Sequence, residues 1–142
     1  MVYTLKFEGK KYAYDSAAGT TVTLPSLPFK MVEALEPPLE PLCPTSLRYE
    51  LAKYDSRDVE EAYDSILEYA ADGILYKEDD GVIRMIADGE YACGNERLAS
   101  ELLTKAFSAQ GQEIRFKAIG ADAEDLLAFA KKVATGLGKQ IV

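Results

Sequence analysis

The densest collection of side chains able to do chemistry is Glu60, Glu61, Asp64 and Glu68, whose spacing includes i, i+4 pairs on one side of a helical pattern. Carboxylates so placed can ligate a hard cation, but a solvated acidic helix face is the simpler reading and the one adopted. Glu78-Asp79-Asp80-Gly81 is a second acidic run and reads as a turn. The two cysteines, Cys43 and Cys93, lie fifty positions apart, and there is no histidine. Cys93 stands in Tyr91-Ala92-Cys93-Gly94, ahead of an expected helix N-terminus where a thiol becomes more acidic; a small structural cysteine is the plainer account. Without histidine the chain has no Ser-His-Asp triad, no imidazole base and no zinc site of the usual Cys/His kind. No catalytic residue and no metal site is therefore expected.

The elements that must position any site follow from composition and periodicity. The 142 residues carry 16 Lys+Arg against 24 Asp+Glu, a formal charge of −8, and 48% are hydrophobic, enough for one compact domain or two small ones. The charge is uneven: residues 1–80 hold 8 basic and 16 acidic side chains, whereas residues 81–142 hold 8 of each. An acidic segment without a basic stripe repels phosphate, so nucleic acid is not an expected partner. The opening MVYTLKFEGKKYAYD alternates apolar and polar residues and lacks the apolar run of a signal peptide. No stretch approaches the roughly 20 apolar residues that cross a bilayer. A cytoplasmic protein with reduced thiols, away from membranes, is expected.

Residues 2–16 predict a β-hairpin turning at Glu8-Gly9-Lys10-Lys11, and the β-branched run Thr20-Thr21-Val22-Thr23-Leu24, closed by Pro25, predicts a third strand. Ser26 is expected to cap a helix beginning near Pro28, with Phe29, Val32 and Leu35 on its apolar face. All six prolines fall between Pro25 and Pro44, and residues 36–44 read as a stiff surface connector rather than a proline-rich ligand. A short helix over 47–54 and a longer one capped by Ser56 and ended by Gly73 follow. Ile74-Leu75-Tyr76 and Val82-Ile83-Arg84-Met85-Ile86 are expected to pair as a hairpin, or wing. Beyond Gly94 helix and strand alternate, which predicts a βαβ unit with parallel pairing. The expected fold is α+β: a winged helix-turn-helix of three strands, three helices and a wing over residues 1–80, then a small βαβ-type α/β unit over 81–142.

Tyr14-Asp15-Ser16-Ala17-Ala18-Gly19-Thr20-Thr21-Val22, together with Asp58-Val59-Glu60-Glu61-Ala62 and Gly73-Ile74-Leu75-Tyr76, carries a resemblance across about half the chain. The segment resembles the peptide-recognition domain at the N-terminus of radical SAM maturases that install thioether crosslinks in small peptides. That domain is a RiPP recognition element, a winged helix related to the quinone-cofactor peptide chaperone. The resemblance implies capture of a precursor's leader peptide, which adds as a strand to the third strand and packs on the third helix. Carried onto this sequence, the peptide-binding residues are Thr20, Thr21, Val22, Thr23 and Leu24 of the strand, with Tyr63, Ile66 and Tyr69 of the helix. Strand addition draws affinity from backbone hydrogen bonds and selectivity from alternating side chains, so a proline at Val22 is expected to block it.

The second half resembles those maturases in fragments. Glu113-Ile114-Arg115-Phe116-Lys117-Ala118-Ile119-Gly120-Ala121-Asp122 and the following apolar helix resemble the strand, turn and helix after the family's first barrel helix. Where the family has the turn Gly-Gly-Glu-Pro, which contacts the methionine end of S-adenosylmethionine, this chain has Ile119-Gly120-Ala121-Asp122. The family's cluster needs three closely spaced thiolates, and this chain has two cysteines in all. The expectation is therefore a noncatalytic protein without cofactor that binds a precursor peptide for a separate maturation enzyme. An inactive truncated radical SAM maturase paralogue or accessory subunit is the first alternative, and a winged-helix transcription regulator the second. An open edge at residues 20–24 also allows a homodimer.

Overall fold

The computed structural model describes residues 1–88 and 95–142. The expectation for Cys93 falls outside the described residues.

Alternation at the N-terminus produces β1 (Val2–Phe7) and β2 (Lys10–Asp15), antiparallel and joined by Glu8 and Gly9, both with positive φ (48° and 79°). That left-handed pair twists with the strands, as a two-residue hairpin turn requires. β3 (Thr20–Thr23) pairs with the other edge of β2, giving the order β1-β2-β3. The register is Ala13 opposite Val22 and Tyr12 opposite Thr23. Leu24 N donates to Lys11 O at 2.8 Å, which makes 11/24, 13/22 and 15/20 the hydrogen-bonded pairs. The N–H and C=O groups of Thr21 and Thr23 are consequently directed away from β2.

α1 (Ser26–Ala34) begins one residue earlier than a Ser26 cap would allow: Pro25 occupies the N-cap position and Ser26 is already helical. Pro28 is tolerated there because the first-turn N–H groups have no intrahelical partner. α2 (Thr45–Glu50) is shorter than the expected helix over 47–54, which continues only as turns. α3 (Ser56–Ala71) is capped by Asp55, whose Oδ1 accepts Arg57 N at 2.8 Å, rather than by Ser56. Gly73, at φ 71°, turns the chain out of α3 as expected.

The wing does not form. Ile74 and Leu75 are held back onto α3, their N–H groups both reaching Tyr69 O at 2.9 and 3.3 Å, and residues 74–76 make no strand. The strand expected as the wing's second arm is β4 (Ile83–Ile86), which pairs in parallel with β6 (Phe116–Ile119). The rest of the unit is α4 (Glu96–Ser108), β5 (Glu113–Ile114), α5 (Ala123–Gly136) and β7 (Gln140–Ile141), with β5 parallel to β7. The expected strand over 114–119 is thus split at Arg115, and its two pieces serve different neighbours. The mixed α+β architecture and the parallel pairing agree with expectation. No helix among the described residues is long and apolar enough to cross a membrane.

The N-terminal sheet is buried on both faces. Ala13, with Val2 and Val22 alongside it, packs on the helical core of Phe29, Met31, Leu47 and Ile66. Tyr12 and Tyr14, on the opposite face, enter a second core with Met85, Leu98, Phe107 and Leu126. The 16–19 turn closes the contact: Arg84 N reaches Ser16 O at 2.7 Å and Ile86 N reaches Gly19 O at 3.1 Å. Gly19 is required by conformation and by space, with φ 83° and with an added Cβ standing 3.2 Å from the Arg84 and Met85 backbone.

Candidate functional site

Asp15 ends β2 fully buried, and its carboxylate is consumed by backbone. Oδ1 accepts Ala17 N at 2.9 Å and Ala18 N at 3.3 Å, while Oδ2 accepts Lys77 N at 2.8 Å. This fixes the β2–β3 turn against the chain that leaves α3. Opposite Asp15 in the ladder, Thr20 Oγ1 donates to Ile74 O. The start of β3 and the end of α3 are therefore tied together at one place. Tyr76, just beyond, adopts φ 59°, and its hydroxyl is buried without a hydrogen-bond partner among the described residues. Burial, then Tyr63 and Asp15, raise the Tyr76 pKa above the ordinary phenol range.

β3 is an edge strand: among the described residues only β2 pairs with it. The opposite edge of the sheet is guarded, since Lys105 Nζ donates to Thr4 O at 2.6 Å. Side-chain alternation divides the strand candidates between two faces. Thr20, Val22 and Leu24 lie on the helical side, Leu24 buried and the other two half-buried, and Val22 packs on the helical core. Thr21 and Thr23 lie on the side of the tyrosines with which they are in register, and Thr23 is exposed.

The helix candidates separate in the same way. Tyr63 is 1% and Ile66 0% exposed, and the Tyr63 hydroxyl donates to Glu40 O at 2.6 Å. Both hold the helical core together and present no surface to a ligand. Tyr69 is half-buried and accepts the Ile74 amide through its backbone carbonyl. The structure thus brings Thr20 and the Tyr69 carbonyl to the β3–α3 junction, leaves Val22 half-buried on the helical core, and buries Leu24, Tyr63 and Ile66. Ile74, half-buried on the same core, is the member of this junction that sequence reasoning missed. Ile74-Leu75-Tyr76 has the pattern of a wing strand, and no local signal distinguishes that from a helix exit.

The other chemistry-bearing groups are placed elsewhere. Glu60 pairs with Arg48 at 3.2 Å, and Glu61, Asp64 and Glu68 face solvent. Cys43 is buried beside Arg48 and Tyr63; burial pushes its thiol pKa up, Arg48 opposes this and Glu60 adds to it. At the end of β6, Asp88 Oδ1 accepts Ala121 N at 2.9 Å, and a Cβ on Gly120 would stand 2.6 Å from that oxygen. The turn at Gly120 is thus closed on the chain's own aspartate. With two cysteines in the whole sequence, one of them buried in the helical core, the donor set does not fit a three-thiolate cluster.

No model of a known protein family matches this chain, and no curated protein is significantly similar to it.

Proposed function

We propose that this chain is a noncatalytic peptide-binding protein, which takes up an extended leader segment of a ribosomally made precursor by strand addition on β3 and offers it to a separate maturation enzyme. The observation that carries this reading is the edge of β3: among the described residues it pairs with β2 alone, and Thr23 is exposed with its backbone groups turned outward, next to the half-buried Val22. Three strands followed by three helices is also the order of the winged-helix recognition elements that the sequence resembles. Strand addition needs such an edge and alternating side-chain environments along it. DNA regulation is disfavoured by the exposed face of α3, where Asp58, Glu61, Asp64, Glu68 and Asp72 stand against Arg57.

The test is titration of the protein with synthetic leader peptides encoded beside its gene. Proline at Val22 would also break the bond to Ala13, so Thr23→Pro is the better block: it removes an outward N–H and leaves the β2 ladder intact. Low-micromolar or tighter binding is expected, weakened about tenfold by Thr23→Pro with an unchanged melting temperature. Absence of binding to any neighbouring small peptide, or binding indifferent to Thr23→Pro, refutes the proposal.

A further inference from the structure

The last turn of α3 carries Glu68 and no basic residue, and Asp72 follows as its C-cap; both acids are exposed. Neither carboxylate has an ion-pair partner among the described residues. The turn's terminal carbonyls add the negative end of the helix dipole. This acidic end is fastened to the start of β3, because Ile74 N bonds Tyr69 O at 2.9 Å and Ile74 O accepts the Thr20 hydroxyl. On the other side of Thr20 the chain returns through Lys77, Glu78, Asp79 and Asp80, anchored by Lys77 N on Asp15. The return itself holds one cation, Lys77, and the Met1 ammonium lies 4.0 Å from Asp79 and 3.7 Å from Asp15. Arg84 is committed to Asp80, at 2.7 and 3.0 Å, and to Ala17 O at 2.9 Å, so the carboxylates remain in excess. At the far end of the strand the charge reverses, since Lys11 lies across from Leu24. The edge is therefore negative at Thr20 and positive toward Leu24.

Taking the strand-addition reading as its basis, we infer that the peptide accepted by β3 is basic at one end, carrying lysine or arginine where it passes Thr20. A long cationic side chain there meets Glu68 and Asp72 without desolvating deeply, which gives selectivity and a faster encounter more than raw affinity. Acidic extended segments are rejected at the same place by like charge.

Two synthetic peptides with the same Val-Thr alternation, one carrying lysine and the other glutamate at a single end, each end being tried in turn, are titrated by fluorescence anisotropy against the full chain. The lysine peptide is expected to bind about tenfold more tightly at low ionic strength, and the gap to narrow in about 0.5 M salt. Both acids lie on an exposed helix end, so E68K/D72K folds, and it is expected to shrink or invert the preference. Equal binding of the two peptides, or a preference unchanged in E68K/D72K, overturns the charge inference and leaves strand addition standing. Binding of neither peptide counts against strand addition itself.

Discussion

At the scale of single residues, the fold depends on polar groups buried where sequence patterns promise apolar ones. Asp15 is fully buried yet has backbone N–H donors on both oxygens, and the exposed Met1 ammonium lies 3.7 Å from its Oδ1, so its charge is met by fixed amide dipoles with one cation beyond them. Asp15→Ala leaves the Ala17 and Lys77 amides without acceptors and is expected to cost about 3 kcal/mol, read as a lower midpoint in urea. A variant as stable as the parent would show that those amides find water instead. Tyr14 is the second case: its hydroxyl donates to Arg84 O, and burial, then Asp15 and Tyr3, raise its pKa above the ordinary range. Below about pH 10 the folded and unfolded chains both keep that proton; above it the unfolded chain releases a proton that the folded chain retains, so stability falls as pH rises. Tyr14→Phe is expected to lose about 1 kcal/mol at neutral pH but to decline less steeply in alkali, as urea melts taken up to about pH 11 would record. Parallel declines in the two proteins would contradict this assignment.

At the scale of elements, the strands and helices were legible where a pattern has one solution. Alternation in Tyr3, Leu5 and Phe7, then Tyr12 and Tyr14, leaves little but a hairpin, and the glycine in Glu8-Gly9 marks its turn. The apolar spacing of Val59, Ala62, Tyr63 and Ile66 leaves little but a helix. Ile83-Arg84-Met85-Ile86 also alternates, but a period of two reveals neither the partner nor its direction. Its partner, Phe116–Ile119, stands some thirty residues later in parallel, and Ile74-Leu75-Tyr76, the nearer candidate, is taken up by the exit of α3. Helix starts slipped by one residue where two capping types adjoin, as Asp55 and Ser56 do. The candidate site was half legible for a related reason: a sequence marks Val22, Tyr63 and Ile66 alike as apolar, and only packing decides that Tyr63 and Ile66 are interior while Val22 stays half-buried at the margin of the same core.

At the scale of the whole molecule, the charge boundary near residue 80 is not a boundary of packing. Tyr12 and Tyr14 belong to the first half by sequence and to the second half's core by contact. A chain ending at Asp80 exposes that face, and two tyrosines of roughly 150–250 Å² each are a large apolar loss for a piece of that size. Such a piece is expected to aggregate or to melt without a cooperative transition, as size-exclusion chromatography and circular dichroism would report; a monomeric, cooperatively melting fragment would show the two cores to be separable.

Burial of the sheet on both faces also sets an order of events during synthesis. The hairpin emerges from the ribosome before the second core does, and its second face is not covered until the residues of β4 and α4 have followed it, some ninety positions later. Through that interval the nascent chain displays a ready-made strand pair with an aromatic surface, the kind of intermediate that aggregates or engages chaperones. Translation speed across residues 80–108 thus becomes a determinant of yield, through a vulnerability that exists only while the protein is being made.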